Sequence, residues 1–150
     1  MSNVSFHPAI FRIFLTNLRE TFQSAGDAII FNMAKEFSNE AMLMIGKQMG
    51  VSIDMDPSRI VDVFSARMDE SGWGNFVMTR TDFKEFDFEV ELNSSPFPEI
   101  TEENGSVMCF FYRGVLCGFF EFLTRRPMMI KGPETLSSDG DAVFHITEAH

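Results

Sequence analysis

The chain has 150 residues, 45% of them hydrophobic, which suits one domain whose core needs no disulfide support. Twelve Lys and Arg against 22 Asp and Glu give a formal charge of −10, which argues against gripping a phosphate backbone, so no nucleic-acid partner is expected. The 18 Phe stand beside a single Trp and a single Tyr, and 11 Met join them, an interior soft enough to line an apolar pocket.

Pro8 to Phe22 places Phe11, Phe14 or Leu15, Leu18 and Phe22 at helical spacing, with Arg12, Arg19 and Glu20 elsewhere on the wheel. Ser24-Ala-Gly26-Asp27 interrupts this pattern. A second helix is expected from about Asp27, its N-cap, to Gln48, with Ile30, Met33, Ala34, Phe37, Ala41, Met44 and Ile45 repeating at three and four. Asp56-Pro57-Ser58 is a start signal for a third helix through Ile60, Val63, Phe64 and Met68, stopped by Gly72-Trp73-Gly74.

Phe76 to Thr79 reads as a strand. From Phe83 to Leu92, Phe86, Phe88, Val90 and Leu92 alternate with Glu85, Asp87, Glu89 and Glu91, the period of a half-buried strand with an acidic outer face. Asn93 to Gly105 has the composition of a loop. Ser106 to Leu123 is a helix apolar nearly all round, and its Gly114 and Gly118 imply a close backbone neighbour, because glycine costs about 1 kcal/mol against alanine there. Met128 to Ile130 and Ala142 to Ile146 close the chain as a hairpin around a turn-rich segment. Segregated helices and antiparallel strands predict an α+β fold in a single domain over residues 1–150.

The N-terminus lacks the basic region and long apolar core of a secretory signal, and Cys109 and Cys117, in one helix, are too far apart to pair there. A cytoplasmic protein with free thiols is the expectation. Arg113 and Glu121 interrupt the most apolar stretch, so no membrane insertion is expected. His7, His145 and His150 are scattered, no metal site is expected, and no nucleotide-binding or hydrolase motif appears. No catalytic residue is assigned. Packing suits the two cysteines better than redox sensing, and solvation suits the acidic strand face better than calcium.

Trp73 with Phe76, Phe86, Phe88, Phe110 and Phe111 forms the aromatic constellation of a candidate ligand pocket, to which Cys109, Tyr112 and Arg113 add polar groups that orient a ligand. The same rings also suit a core between helix and sheet. Surplus apolar surface on the first two helices, including Phe11, Phe14, Leu18 and Phe22 and then Met33, Phe37, Met44 and Ile45, predicts a homodimer through those helices.

Gly72-Trp-Gly-Asn-Phe-Val, a long acidic hairpin, Gly114-Val-Leu-Cys-Gly118-Phe-Phe running on to Arg126-Pro127, and Gly140-Asp141 before a terminal strand together resemble the 4-vinyl reductase-type small-molecule-binding domain. The resemblance covers most of the chain, from Gly26 to Ile146. It implies a fold akin to TRAPP vesicle-tethering subunits and haem nitric-oxide sensor domains, dimeric and enclosing an apolar pocket. It also implies a ligand-binding or sensor domain for a hydrocarbon, aromatic or tetrapyrrole-like molecule. Many members of that family carry cysteines, able to hold zinc, where this chain has approximately Leu136 and Phe144. Glu134 stays near the acidic position, but without thiolates no zinc or other cofactor is expected, and neither His7 nor His145 sits in a haem-ligand motif. The competing class is a scaffold acting through protein contacts without catalysis, and a true reductase lacks a nucleotide signature.

Overall fold

Helix α1 (Pro8–Phe22) and helix α2 (Ser24–Met49) are separated by one residue, Gln23, whose φ of 53° redirects the chain. Helix α3 (Pro57–Glu70) follows, then strands β1 (Asn75–Asp82) and β2 (Asp87–Asn93), helix α4 (Glu102–Thr124), and strands β3 (Met128–Lys131) and β4 (Ala142–Glu148). The structure is a computed structural model that describes residues 8–49, 56–93 and 102–149. Most of the expected loop after β2, residues 94–101, lies outside them.

The α+β class is confirmed, with four boundaries corrected. Helix α2 starts at Ser24, not Asp27, because Gly26 packs against the backbone of Leu18 and Arg19 and shortens the break to a single residue. Asp27 therefore caps nothing; its carboxylate accepts from Arg19 Nε at 2.6 Å. Helix α4 begins four residues early, at Glu102. Strand β1 extends to Asp82, whose side chain accepts from the backbone N–H groups of Lys84 and Glu85 and so fixes a turn. Phe83 to Phe86 form that turn, so the alternating pattern is a strand only from Asp87. At α3 the start signal holds: Asp56 accepts from Ser58 N–H, and Pro57 sits where no helical N–H is needed.

The four strands form one antiparallel sheet in the order β1-β2-β4-β3. Phe76, Phe88, Val90, Leu92, Ala142, Phe144 and Ile146 are buried on one face, while Glu89, Glu91, Val143 and His145 stand on the other. Aromatic contacts join the buried face to the helices: Phe88 lies 4.7 Å from Phe120, and Phe64 of α3 stacks on Phe119 at 4.0 Å.

On its far side α4 meets α2, and here the two glycines find their reason. A Cβ at Gly114 would enter the Phe31 carbonyl oxygen and lie 2.7 Å from Ala34 Cβ; one at Gly118 would enter the Lys35 carbonyl oxygen. Backbone-to-backbone packing offsets the poor helix propensity of glycine. Asn104–Thr124 is long and apolar enough to cross a membrane, but 72% of that window is buried inside the protein, as for a core helix.

Candidate functional site

Helix α1, helix α2, the turn that follows α3, and helix α4 line an apolar cavity of about 160 Å³ that is open on the side of Met33 and Phe37. Phe11 and Leu15 of α1, Ile30, Met33, Ala34 and Phe37 of α2, Trp73 of the turn and Phe111 of α4 line it. Three rings form one wall. Phe11 meets Trp73 edge-on at 5.2 Å and Phe111 edge-on at 5.0 Å, and Trp73 lies 5.5 Å from Phe111. The edge-on arrangement places positive ring edges against negative ring faces, the favourable geometry for aromatic pairs.

The backbone holds Trp73 from both sides. Gly72 and Gly74 take φ values of 78° and 128°, a path open to glycine, so the Gly-Trp-Gly sequence presents the indole at a sharp reversal. Trp73 N–H donates to the Met68 carbonyl oxygen, and the Trp73 carbonyl oxygen accepts from the Tyr112 hydroxyl at 2.6 Å.

Of the residues expected to bind a ligand, Trp73 and Phe111 reach the cavity wall and the others are placed elsewhere. Phe76 is buried between Phe64 and Tyr112, and Phe88 packs under α4. Phe86 occupies the β1–β2 turn at φ 54°, with the Arg126 guanidinium 4.9 Å from its ring centroid. Phe110 has the guanidinium groups of Arg19 and Arg113 over its ring, at 5.6 and 5.7 Å from the centroid.

The expected polar groups turn to structural work. Tyr112 is fully buried and braces Trp73, while Arg113 donates to the carbonyl oxygens of Gly132 and Pro133. Cys109 is buried, and burial pushes its thiol up to about 11 against the opposing pull of Arg113. Burial, with Glu121 nearby, also raises Cys117 to about 11, and that thiol points at the Met128 carbonyl oxygen. Neither environment stabilises a thiolate.

The cavity residues contributed by α1 and α2 were legible as apolar stripes, but Phe11, Met33 and Phe37 among them were assigned to a subunit contact. Phe11 turns inward onto Trp73, and Leu18 packs on the core. Phe14, Phe22, Met33, Phe37 and Met44 remain exposed, so the apolar surface that motivated a dimer persists in part. The side chain of Ile45 lies outside the described residues. Leu136 and Phe144 are buried in apolar surroundings, and no three His, Cys, Asp or Glu side chains converge among the described residues.

Two close polar contacts lie away from the cavity. Lys35 and Glu121 meet at 2.7 Å across α2 and α4, and this contact raises the lysine pKa. On the outer sheet face His145 Nε2 lies 2.6 Å from Asp87, which lowers that carboxyl's pKa.

No family model and no curated protein matches the sequence. Solved structures do match in fold. The phenol-responsive sensory domain of the transcription activator PoxR, solved with phenol, superposes with a TM-score of 0.74 at 10% identity, over 98% of this chain and 77% of that one. Trafficking protein particle complex subunit 3 from Naegleria fowleri, covalently bound to palmitic acid, gives 0.61 at 9% identity, over 95% of both chains. A vinyl-4-reductase family protein from Methanocaldococcus jannaschii gives 0.61 at 13% identity, over 99% of this chain and 85% of that one. The chain therefore has the fold shared by these proteins, as its glycine-bearing helix and Gly-Asp hairpin implied.

Proposed function

We propose that this chain is a binding module, of the kind used in sensing, for a small apolar molecule that seats against Trp73. The observation that carries the reading is the cavity itself, a space of about 160 Å³ walled by eight apolar side chains. Dry apolar cavities of about 150 Å³ take up benzene-sized guests. A one- or two-ring aromatic or a short hydrocarbon matches this volume, and a tetrapyrrole is far too large for it.

The fold supports the reading, since one similar structure is a sensory domain holding phenol and another carries palmitic acid. The buried thiols and the engaged Tyr112 and Arg113 favour binding over catalysis. We place the protein in the cytoplasm, where its thiols stay reduced. Trp73, the sole tryptophan, is a built-in reporter. Titration with naphthalene is expected to change its fluorescence saturably and to raise the melting temperature. No saturable response and no thermal shift with naphthalene, benzene or hexane rejects the reading.

The exposed apolar side chains of α1 and α2 favour a second reading, a scaffold that works through protein contacts. Saturable naphthalene binding that is lost when the cavity is filled favours the first reading over the second.

A further inference from the structure

The cavity has two unlike ends. Leu15, Ile30, Ala34 and Phe111 line it from within the protein and are at most 5% exposed. Met33 and Phe37, one turn apart on α2, also line it yet are 47% and 54% exposed. One end is therefore closed by hydrocarbon, and the other opens to water.

We propose that the site selects its guest by where the guest carries polar atoms. It takes molecules with one bare hydrocarbon end, which seats at the closed end, and it rejects molecules that are polar at both ends. This inference rests on the binding reading above and narrows its ligand class.

No polar atom borders the cavity, and the polar groups of its walls are already engaged. The Trp73 carbonyl oxygen accepts from the Tyr112 hydroxyl, and the Trp73 backbone N–H donates to the Met68 carbonyl oxygen. Leu15, Ile30, Ala34 and Phe111 stand inside helices, where backbone N–H and C=O groups bond to one another. The closed end is also held in place: Ala34 packs on Gly114 where α2 and α4 meet backbone to backbone, and Tyr112 braces Trp73.

The selection follows from hydration. A hydroxyl carried to the closed end gives up its bonds to water and finds no protein partner, which is costly. A hydroxyl at the Met33 and Phe37 mouth keeps its water, so it changes affinity little. The position of the polar atoms, rather than their number, therefore sets the affinity.

Calorimetric titration with naphthalene, 2,3-dihydroxynaphthalene and 2,6-dihydroxynaphthalene tests the rule. The two diols share their rings, size and hydroxyl count, but the 2,3-isomer keeps one end bare and the 2,6-isomer is polar at both. The 2,6-isomer is expected to bind at least tenfold more weakly than the 2,3-isomer. A second readout reports orientation. Excited beyond the absorption of tryptophan, 2-naphthol emits as the naphtholate where its hydroxyl can hand a proton to water, and the bound molecule is expected to keep that emission. With naphthalene bound, a smaller difference between the diols, the reverse order, or rejection of both overturns the inference and leaves the binding reading intact. Loss of naphtholate emission on binding puts the hydroxyl inside and overturns it as well. Failure of naphthalene itself to bind removes the binding reading and the inference together.

Discussion

The Tyr112 hydroxyl donates to the Trp73 carbonyl oxygen at 2.6 Å and so fastens α4 to the turn that carries the cavity wall. Tyr112 is fully buried, so removing its hydroxyl deletes a hydrogen bond made from inside the core. Tyr112→Phe is expected to lower stability by about 1–2 kcal/mol. Because Trp73 then loses its brace, naphthalene affinity is also expected to fall. Urea unfolding followed by Trp73 fluorescence checks the first effect; an unchanged midpoint refutes it.

Filling the cavity separates binding from folding. Leu15→Phe places a larger ring into space already lined by Phe11 and Phe111, so the fold is expected to tolerate it within about 1 kcal/mol. Naphthalene affinity is expected to drop at least tenfold. Calorimetry of the variant beside the unmodified protein provides the check, and retained affinity places the bound molecule elsewhere.

The glycines of α4 predict a sign opposite to helix propensity. Alanine at Gly114 or Gly118 gains about 1 kcal/mol of propensity but drives Cβ into the carbonyl oxygens of Phe31 or Lys35. Backbone yields less readily than a side chain, so each substitution is expected to destabilise by about 1–3 kcal/mol net. Thermal unfolding of the two single variants tests this; a raised melting temperature for either contradicts the close packing of α2 on α4.

Alkaline pH is expected to unfold the protein through groups on α4 and α2. Cys109 and Cys117 carry folded pKa values raised to about 11 from an ordinary 9.0, so the stability they contribute is complete below pH 9 and is lost as pH rises through 11. Lys35 is shifted the same way by its bond to Glu121, and its contribution is lost above its ordinary 10.5. Denaturation midpoints are expected to hold steady from pH 7 to 8.5 and fall beyond pH 9. At pH 8 iodoacetamide is expected to label neither thiol until the chain unfolds; rapid labelling of the native protein refutes their burial.

Local regularities explain most of what the sequence disclosed. Glu89 and Glu91 alternate with Val90 and Leu92 because β2 has one wet face, and Pro57 marks α3 because its ring suits a first helical turn. Phe86 continued the alternation by residue type alone, while the turn fixed by Asp82 set its backbone. Gly114 and Gly118 announced a close neighbour, and only the tertiary arrangement identifies it as α2. The site was harder to read for the same reason. Phe11 and Phe14 are equally apolar three positions apart, and the arrival of Trp73 from a distant turn is what draws Phe11 inward and leaves Phe14 outside.

The strand order β1-β2-β4-β3 also bears on how the chain assembles. Each hairpin forms from neighbours in sequence, but the sheet becomes one only when Asp87 to Leu92 meet Ala142 to Thr147 across the whole of α4. That junction closes a long loop, so its entropy must be spent before the contacts return it, and folding is expected to be slowed at this step. Until then the β2 and β4 edges stand open, and a chain stalled there exposes Phe88, Val90, Phe144 and Ile146 to other unfinished chains.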